Sequence, residues 1–143
     1  MTEFFRVFVD RCHHTKEETV LVPRLSATGL SARLEAEHAD GRRLAYASAV
    51  ALYRPGDRTG GAVVQLAVAN YAAVLWAHIA RENAELLPAV DRQLAANDSE
   101  LVEAFERIET ERIGSGAHER LHGMIETLAG RIAPFLPVAA GRR

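Results

Sequence analysis

The chain has one cysteine, Cys12, so it closes no internal disulfide, which suits a reducing compartment. It has no block of like charge: 17 Lys and Arg stand against 19 Asp and Glu, a formal net charge of −2. That balance excludes the electrostatic footprint of a nucleic-acid partner or an anionic membrane surface. No cationic leader followed by an apolar run opens it, and no apolar stretch is read as reaching the roughly 18 to 20 residues that span a bilayer. We therefore expect a cytoplasmic protein. Sustained alternation of apolar and polar residues is also missing, as are internal repeats and low-complexity tracts, so strands are not expected. What remains is one domain of ordinary composition, 48 % apolar and 25 % charged, assigned to residues 1–136 with a fraying tail at 137–143.

Glycine and proline divide that domain into helical segments, which predicts an all-α fold. The first runs from about Thr2 to Val22, apolar at Phe5, Phe8, Val9, Cys12, Val20 and Leu21, and is stopped by Pro23. A second spans roughly Ala32 to Tyr53, with Ser31 as its N-cap and Arg54-Pro55-Gly56 as its stop. The third, Ala62 to Leu87, is apolar on most of its surface, which suits a central helix, and ends at Pro88. A fourth begins near Asn97, where Asn97 and Glu100 have capping-box spacing, and ends at Gly114-Ser115-Gly116. In the fifth, Ala117 to Ala133, Leu121, Ile125, Leu128 and Ile132 recur at helical spacing.

Two His-x-x-x-Glu pairs, His13 to Glu17 and His78 to Glu82, lie in these segments, each followed six residues after its Glu by a proline. A helix turns about 100° per residue, so an i,i+4 pair projects both side chains from one face, one turn apart. With His38 on a third helix, imidazoles and carboxylates suited to a non-haem iron centre would converge. That donor set describes a metal centre better than a catalytic triad.

The residues around these positions resemble the hemerythrin-like, HHE cation-binding family. The likeness runs through Phe8-Val9-Asp10-Arg11-Cys12-His13-His14-Thr15-Lys16-Glu17-Glu18 with Leu21 and Pro23, then Glu37-His38-Ala39-Asp40-Gly41-Arg42. It continues in His78-Ile79-Ala80-Arg81-Glu82-Asn83 with Leu86, Leu87 and Pro88; Phe105-Glu106 and Gly114 to Arg120 are similar to the family's C-terminal extension. The resemblance implies a four-helix up-down bundle holding a di-iron cofactor, oxo- or hydroxo-bridged. The matching ligand positions are His13, Glu17, His38, His78 and Glu82, with Glu17 and Glu82 as bridges. Manganese or zinc suits the same N and O donors.

Members of that family begin with a further helix carrying the first histidine ligand, and Met1 falls just before what would be the second. The implied set is one imidazole short, and an apolar groove needs covering. Three arrangements would answer this. The fourth segment could fill the slot, with Glu106 and Glu109 as its ligand candidates. The fifth could instead bring in His118, otherwise a half-buried histidine at a helix start. Finally, a second copy could cover the groove as a homodimer.

Between the adjacent histidines, Val9 and Val20 favour His13 as the inward one, paired with Glu17. His14 and Glu18 are read as a solvated pair or an outer shell. His122 and Glu126 repeat the spacing on a polar side and are read as a surface pair. Cys12 and Trp76 are read as packing, Tyr71 as packing or a phenol beside the metal, and Arg42 as partner to a glutamate or solvent. The leading reading is an iron-binding protein that stores, senses or carries iron or a small partner molecule such as dioxygen, nitric oxide or peroxide. A peroxide-consuming oxidoreductase and a metal-poor module binding a partner helix in its groove are the alternatives.

Overall fold

The computed structural model describes residues 3–26, 29–53 and 58–135, and the side chains of all of these but 58–60. The stop at Arg54-Pro55-Gly56 and the tail at 137–143 lie outside the described residues. Apart from short turns, the described residues are helical and include no strand. Helix α1 covers residues 3–24, through Phe4–His14, Glu17–Leu21 and Val22–Arg24 in succession. Helix α2 is Leu30–Tyr53, and α3 runs through Arg58–Arg81, Glu82–Leu86 and Leu87–Leu94. After the turn Ala95–Asn97, α4 takes Asp98–Ile108 and Glu109–Ile113; α5 is Ala117–Ile132.

Two helix starts differ from expectation. Ser31 lies inside the first turn of α2, its hydroxyl 2.9 Å from Glu35, because the helix already begins at Leu30. Asn97 does precede α4, but its side chain makes no capping hydrogen bond. Between α4 and α5 the chain reverses at Gly114 and Gly116, whose φ angles of +87° and +72° are conformations that side-chain-bearing residues rarely adopt.

Pro88 does not end α3. A proline inside a helix has no N–H to donate and crowds the carbonyl four residues back. Here the residue before it takes up the difference: the Leu87 N–H bonds to the Glu82 carbonyl, five residues back, in a widened π-helical turn. The same device occurs before Pro23, where the Val22 N–H bonds to the Glu17 carbonyl. Beyond Pro23 the chain does leave the helix, with Leu25 extended and the Arg24 guanidinium donating to the Val20 carbonyl at 2.7 Å. Both widened turns thus start at the two glutamates singled out by spacing.

Helix α2 packs antiparallel to both α1 and α3: Arg42 of α2 reaches back to Asp10, and Arg33 and Arg81 pair α2 with α3 through Glu85 and Glu37. Helix α4 runs antiparallel to α1 on its other side. Leu101 joins Val20, Leu21 and Leu94 in one apolar cluster, and further along Lys16 pairs with Glu109 and lies 5.2 Å over the Phe105 ring. Helix α5 touches the start of α1 through His118 against Phe8 and Arg120 against Glu3.

A second cluster, Val22, Leu30, Leu34 and Leu86, fills the end of the bundle near the prolines. Leu21, Leu34 and Leu86 each stand four residues from Glu17, His38 and Glu82 respectively, so they form an apolar floor one turn below those side chains. Leu34 is fully buried. Replacing it with alanine is expected to cost about 2–5 kcal/mol through lost apolar contact and a residual cavity. Urea denaturation of the metal-free chain measures this, and an unmoved midpoint would contradict the floor.

The opposite flank of α3 is a correction. Trp76, expected to pack, is 74 % exposed, and Val63, Leu66 and Ile79 also face outward. An 18-residue window within Gly61–Ile113 reaches mean hydropathy 1.5, enough by length and composition for a membrane span, although no such stretch was expected from the sequence. Core helices of soluble proteins pass the same test, but only 11 % of this window is buried. In the monomer α3 is therefore a helix with one covered side rather than a central one.

Candidate metal centre

Above the leucine floor, these three helices bring together side chains that ordinarily avoid an interior. His38 is fully buried, and His14, Glu17, His78 and Glu82 are all less than one-tenth exposed. The helical repeat explains the convergence: His13 and Glu17 rise from one turn of α1, His78 and Glu82 from the facing turn of α3, and His38 enters from α2. His13, Glu17, His78 and Glu82 each offer a donor atom within 4.8 Å of the others. His14, His38 and His78 form a second such group.

The atoms facing each other here are close but poorly aligned for hydrogen bonds. His78 Nε2 lies 2.6 Å from Glu82 Oε1, and His38 Nε2 lies 3.1 Å from Glu17 Oε2, yet all four are buried without a hydrogen-bond partner. His13 Nε2 stands 3.6 Å from Glu17 Oε1 and 3.5 Å from Glu82 Oε1. Such atoms are costly to bury unpaired, about 1–3 kcal/mol each.

The far side of each ring explains why. His38 Nδ1 is 2.7 Å from Glu18, and His78 Nδ1 is 3.0 Å from Glu37. A carboxylate only accepts, so each Nδ1 carries the proton and donates. In a neutral ring Nε2 then presents its lone pair to a carboxylate lone pair, and the two repel unless a proton or a metal ion stands between them. Histidines held this way by an outer carboxylate are typical of metal ligands. The outer acids are themselves anchored: Arg42 donates to Glu18 at 3.2 Å and to Asp10 at 3.0 Å, and Arg81 donates to Glu37 at 2.5 Å.

The electrostatics agree with the geometry. Burial opposes charge on His78, but the neighbouring carboxylates of Glu82 and Glu37 prevail and push it up to about 9. His13 shifts upward for the same reason, against burial and by Glu82 and Glu17. Burial would raise the Glu82 carboxyl, yet His13 and His78 hold it well below the usual carboxylate range. His14 behaves oppositely: burial first, then the neighbouring His38, His13 and His78, drive it down to about 2, so it is neutral.

The histidine pair on α1 departs from the sequence reading. His14 is 4 % exposed and stacks on His38, centroids 3.9 Å apart and planes 10° from parallel, while the His13 side chain is 44 % exposed. The choice between them used apolar neighbours as the mark of the inward face. Asp10, Glu17 and His14 are polar residues on the inner side of α1, so that rule misjudged position 14. A usable signal was present: Val7, His14 and Leu21 recur every seven residues, nearly one face of a helix, and all three are buried. Glu18 is the outer partner of His38, which agrees with the outer-shell alternative for this residue and not with a solvated pair. Glu37 was not singled out as a partner of His78, because nothing local links positions 37 and 78.

The remaining candidates lie apart. His118 is outside both donor groups, its ring 5.1 Å from Phe8. Glu109 is taken by Lys16, and Glu106 is exposed. His122 and Glu126 are an exposed pair, 3.3 Å apart. Burial pushes the Cys12 thiol up beside Lys16 and Glu109, consistent with packing. Tyr71 is buried edge-on to Phe5 at 4.7 Å, its phenol pushed up to about 12 by burial and then by Asp10. It helps wall a cavity of about 520 Å³ that reaches His14, between Phe5, Val9, Ala45, Ala49 and Tyr46.

The donor set therefore fits a metal ion: imidazole nitrogens, neutral once a metal displaces their proton, converge with carboxylate oxygens, and the outer acids fix the rings. No curated protein and no solved structure matches the chain. Residues 1–90, which contain every donor residue of the site, match the family described as Hemerythrin HHE cation binding domain. By that match and this donor geometry, the chain belongs to the hemerythrin HHE cation-binding family.

Proposed function

We propose that the chain is a non-haem iron protein whose buried cluster holds a di-iron centre and binds or senses a small molecule such as dioxygen, nitric oxide or peroxide. The observation that supports this most is the set of buried, unpartnered donor atoms on Glu17, His38, His78 and Glu82. Iron held there would supply a ferrous–ferric couple. The chain's own residues divide the rest of the task. Glu17 and Glu82 offset the cationic charge and connect the two sides; His13, His38 and His78 give neutral nitrogens. Glu18 and Glu37 hold two rings in the tautomer that leaves Nε2 free, and the leucine floor keeps water from that end.

The antiparallel run of α1, α2 and α3, with α4 laid along α1, supports a hemerythrin-type up-down bundle. Exposed Trp76, Ile79, Leu66 and Val63 on α3 support a homodimer covering that face. The lone buried Cys12 suits a cytoplasmic protein.

Anaerobic reconstitution with ferrous iron, followed by desalting, elemental analysis and solution mass, tests the reading. Two irons per chain are expected. Absence of bound iron would overturn it in favour of an interaction module. Reversible optical changes with oxygen or nitric oxide and no turnover support a carrier or sensor; catalytic loss of peroxide replaces that reading with an oxidoreductase.

A further inference from the structure

Neither the spacing of the two His-x-x-x-Glu pairs nor the family match assigns a role to His14. Among the described residues, His14 is the one side chain with both ring nitrogens buried and unpartnered. Its nearest carboxylate oxygen, Asp10 Oδ1, is 3.7 Å away, beyond hydrogen-bond reach. Asp10 is engaged by Arg42 instead. The ring faces the cluster: it offers a donor within 4.8 Å of donors on His38 and His78, stacks on the first and stands edge-on to the second. A histidine there for packing alone would be better served by an aromatic ring without nitrogens, and one there for hydrogen bonding would have a partner.

The two oxygens of Glu17 give the arrangement its sense. Oε2 lies toward His38 Nε2 at 3.1 Å, and Oε1 toward His13 Nε2 at 3.6 Å. The donors fall into two groups that share His78: His14 and His38 with His78, and His13 with Glu17, His78 and Glu82. Without His14 the first group would keep only the imidazoles of His38 and His78, fewer than the three protein donors that metal sites ordinarily use.

We propose that His14 is a metal ligand, completing with His38 and His78 the donor set for a second cation in the cluster. This rests on the metal-binding reading above. It leaves the about 520 Å³ cavity beside His14 as the approach to that cation, wide enough for a molecule larger than a diatomic.

The test compares ferrous loading of the intact chain with that of His14→Ala, His14→Gln and His118→Ala, each shown to be folded by circular dichroism and thermal melting. Stoichiometry is read by elemental analysis, and the optical and EPR spectra are recorded. Two irons are expected in the intact chain and in His118→Ala. One is expected in His14→Ala and in His14→Gln, and added imidazole, diffusing through the cavity, is expected to restore the second iron to His14→Ala. An outer-shell role would weaken binding without rescue by free imidazole. If either His14 variant folds and holds two irons with unchanged spectra while the intact chain also holds two, the proposal is overturned and the iron reading stands. Loss of iron on replacing His118 but not His14 overturns it equally. An intact chain that takes up no iron defeats both readings together.

Discussion

On the proposed di-iron reading, replacing Glu17 with alanine is expected to remove both irons, a larger loss than any other single substitution in the site. Its two oxygens face different imidazoles, one toward His38 and the other toward His13, so one side chain serves both halves of the cluster. An outer-shell substitution costs metal affinity by about 10- to 100-fold. Losing a carboxylate that faces both groups should exceed the upper end of that range, and it would also remove a negative charge that offsets bound metal. Ferrous titration monitored optically, with elemental analysis of the desalted product, measures the effect. Retention of two irons by Glu17→Ala, at wild-type affinity, would show that the carboxylate is not shared. The comparison with Glu18→Ala is informative, because Glu18 touches only the back of His38 and should stay within the outer-shell range.

Stability of the metal-free chain should fall as the pH rises from about 7 to about 9, the reverse of what acid-sensitive carboxylates alone would give. His78 is raised from 6.5 to about 9, with burial acting against its charge and Glu82 and Glu37 acting for it. A group whose folded value is raised contributes stability that is complete below its unfolded value and disappears as pH passes through the folded one. The window for His78 is therefore 6.5 to about 9, and at about 1.4 kcal/mol per pKa unit the contribution is roughly 3 kcal/mol. His13 shifts in the same direction and adds to the alkaline loss.

The acid side has different owners. His14, driven down to about 2, must gain a proton on unfolding between 6.5 and that value, so stability falls as pH drops through this range. Glu82, held low by His13 and His78, acts likewise at the acid end. The metal-free chain should be most stable near neutrality. On the proposed reading, a metal held by His78 would displace its proton, so loading would release protons and affinity would rise toward pH 9. Thermal melts of metal-free and loaded protein across this range check both statements. A metal-free midpoint that climbs from about pH 7 to about pH 9 would contradict the account.

Much of the site was legible because helical spacing is local information. His13 with Glu17 and His78 with Glu82 needed only an i,i+4 rule, and His38 was recognisable from its place in an ordered set of motifs. What escaped depended on contacts between distant positions. Glu37 as the anchor of His78 joins residues 41 apart, and Arg42 chose Glu18 and Asp10 over solvent only once α1 and α2 were side by side. His14 was misjudged because apolar flanks mark an inward face only when the interior is apolar, and this interior holds charged and polar donors around a cation site.

Proline and tryptophan show the same division. Pro88 carries a local instruction, no N–H and a steric clash, that reads as a helix end, yet the helix absorbs it by a turn bonded five residues back from Leu87 to Glu82. Trp76 and Ile79 are apolar in sequence and exposed in the fold, because burial is a property of neighbours and none of the described helices covers that side of α3. The sequence by itself determined the helical class, the breaks at glycine, and the chemistry and spacing of the donors, since these follow from backbone periodicity and side-chain type. Only the tertiary structure decided which histidine turns inward, which acids hold the rings and which apolar face stays open, since each of these is set by packing between helices far apart in the chain.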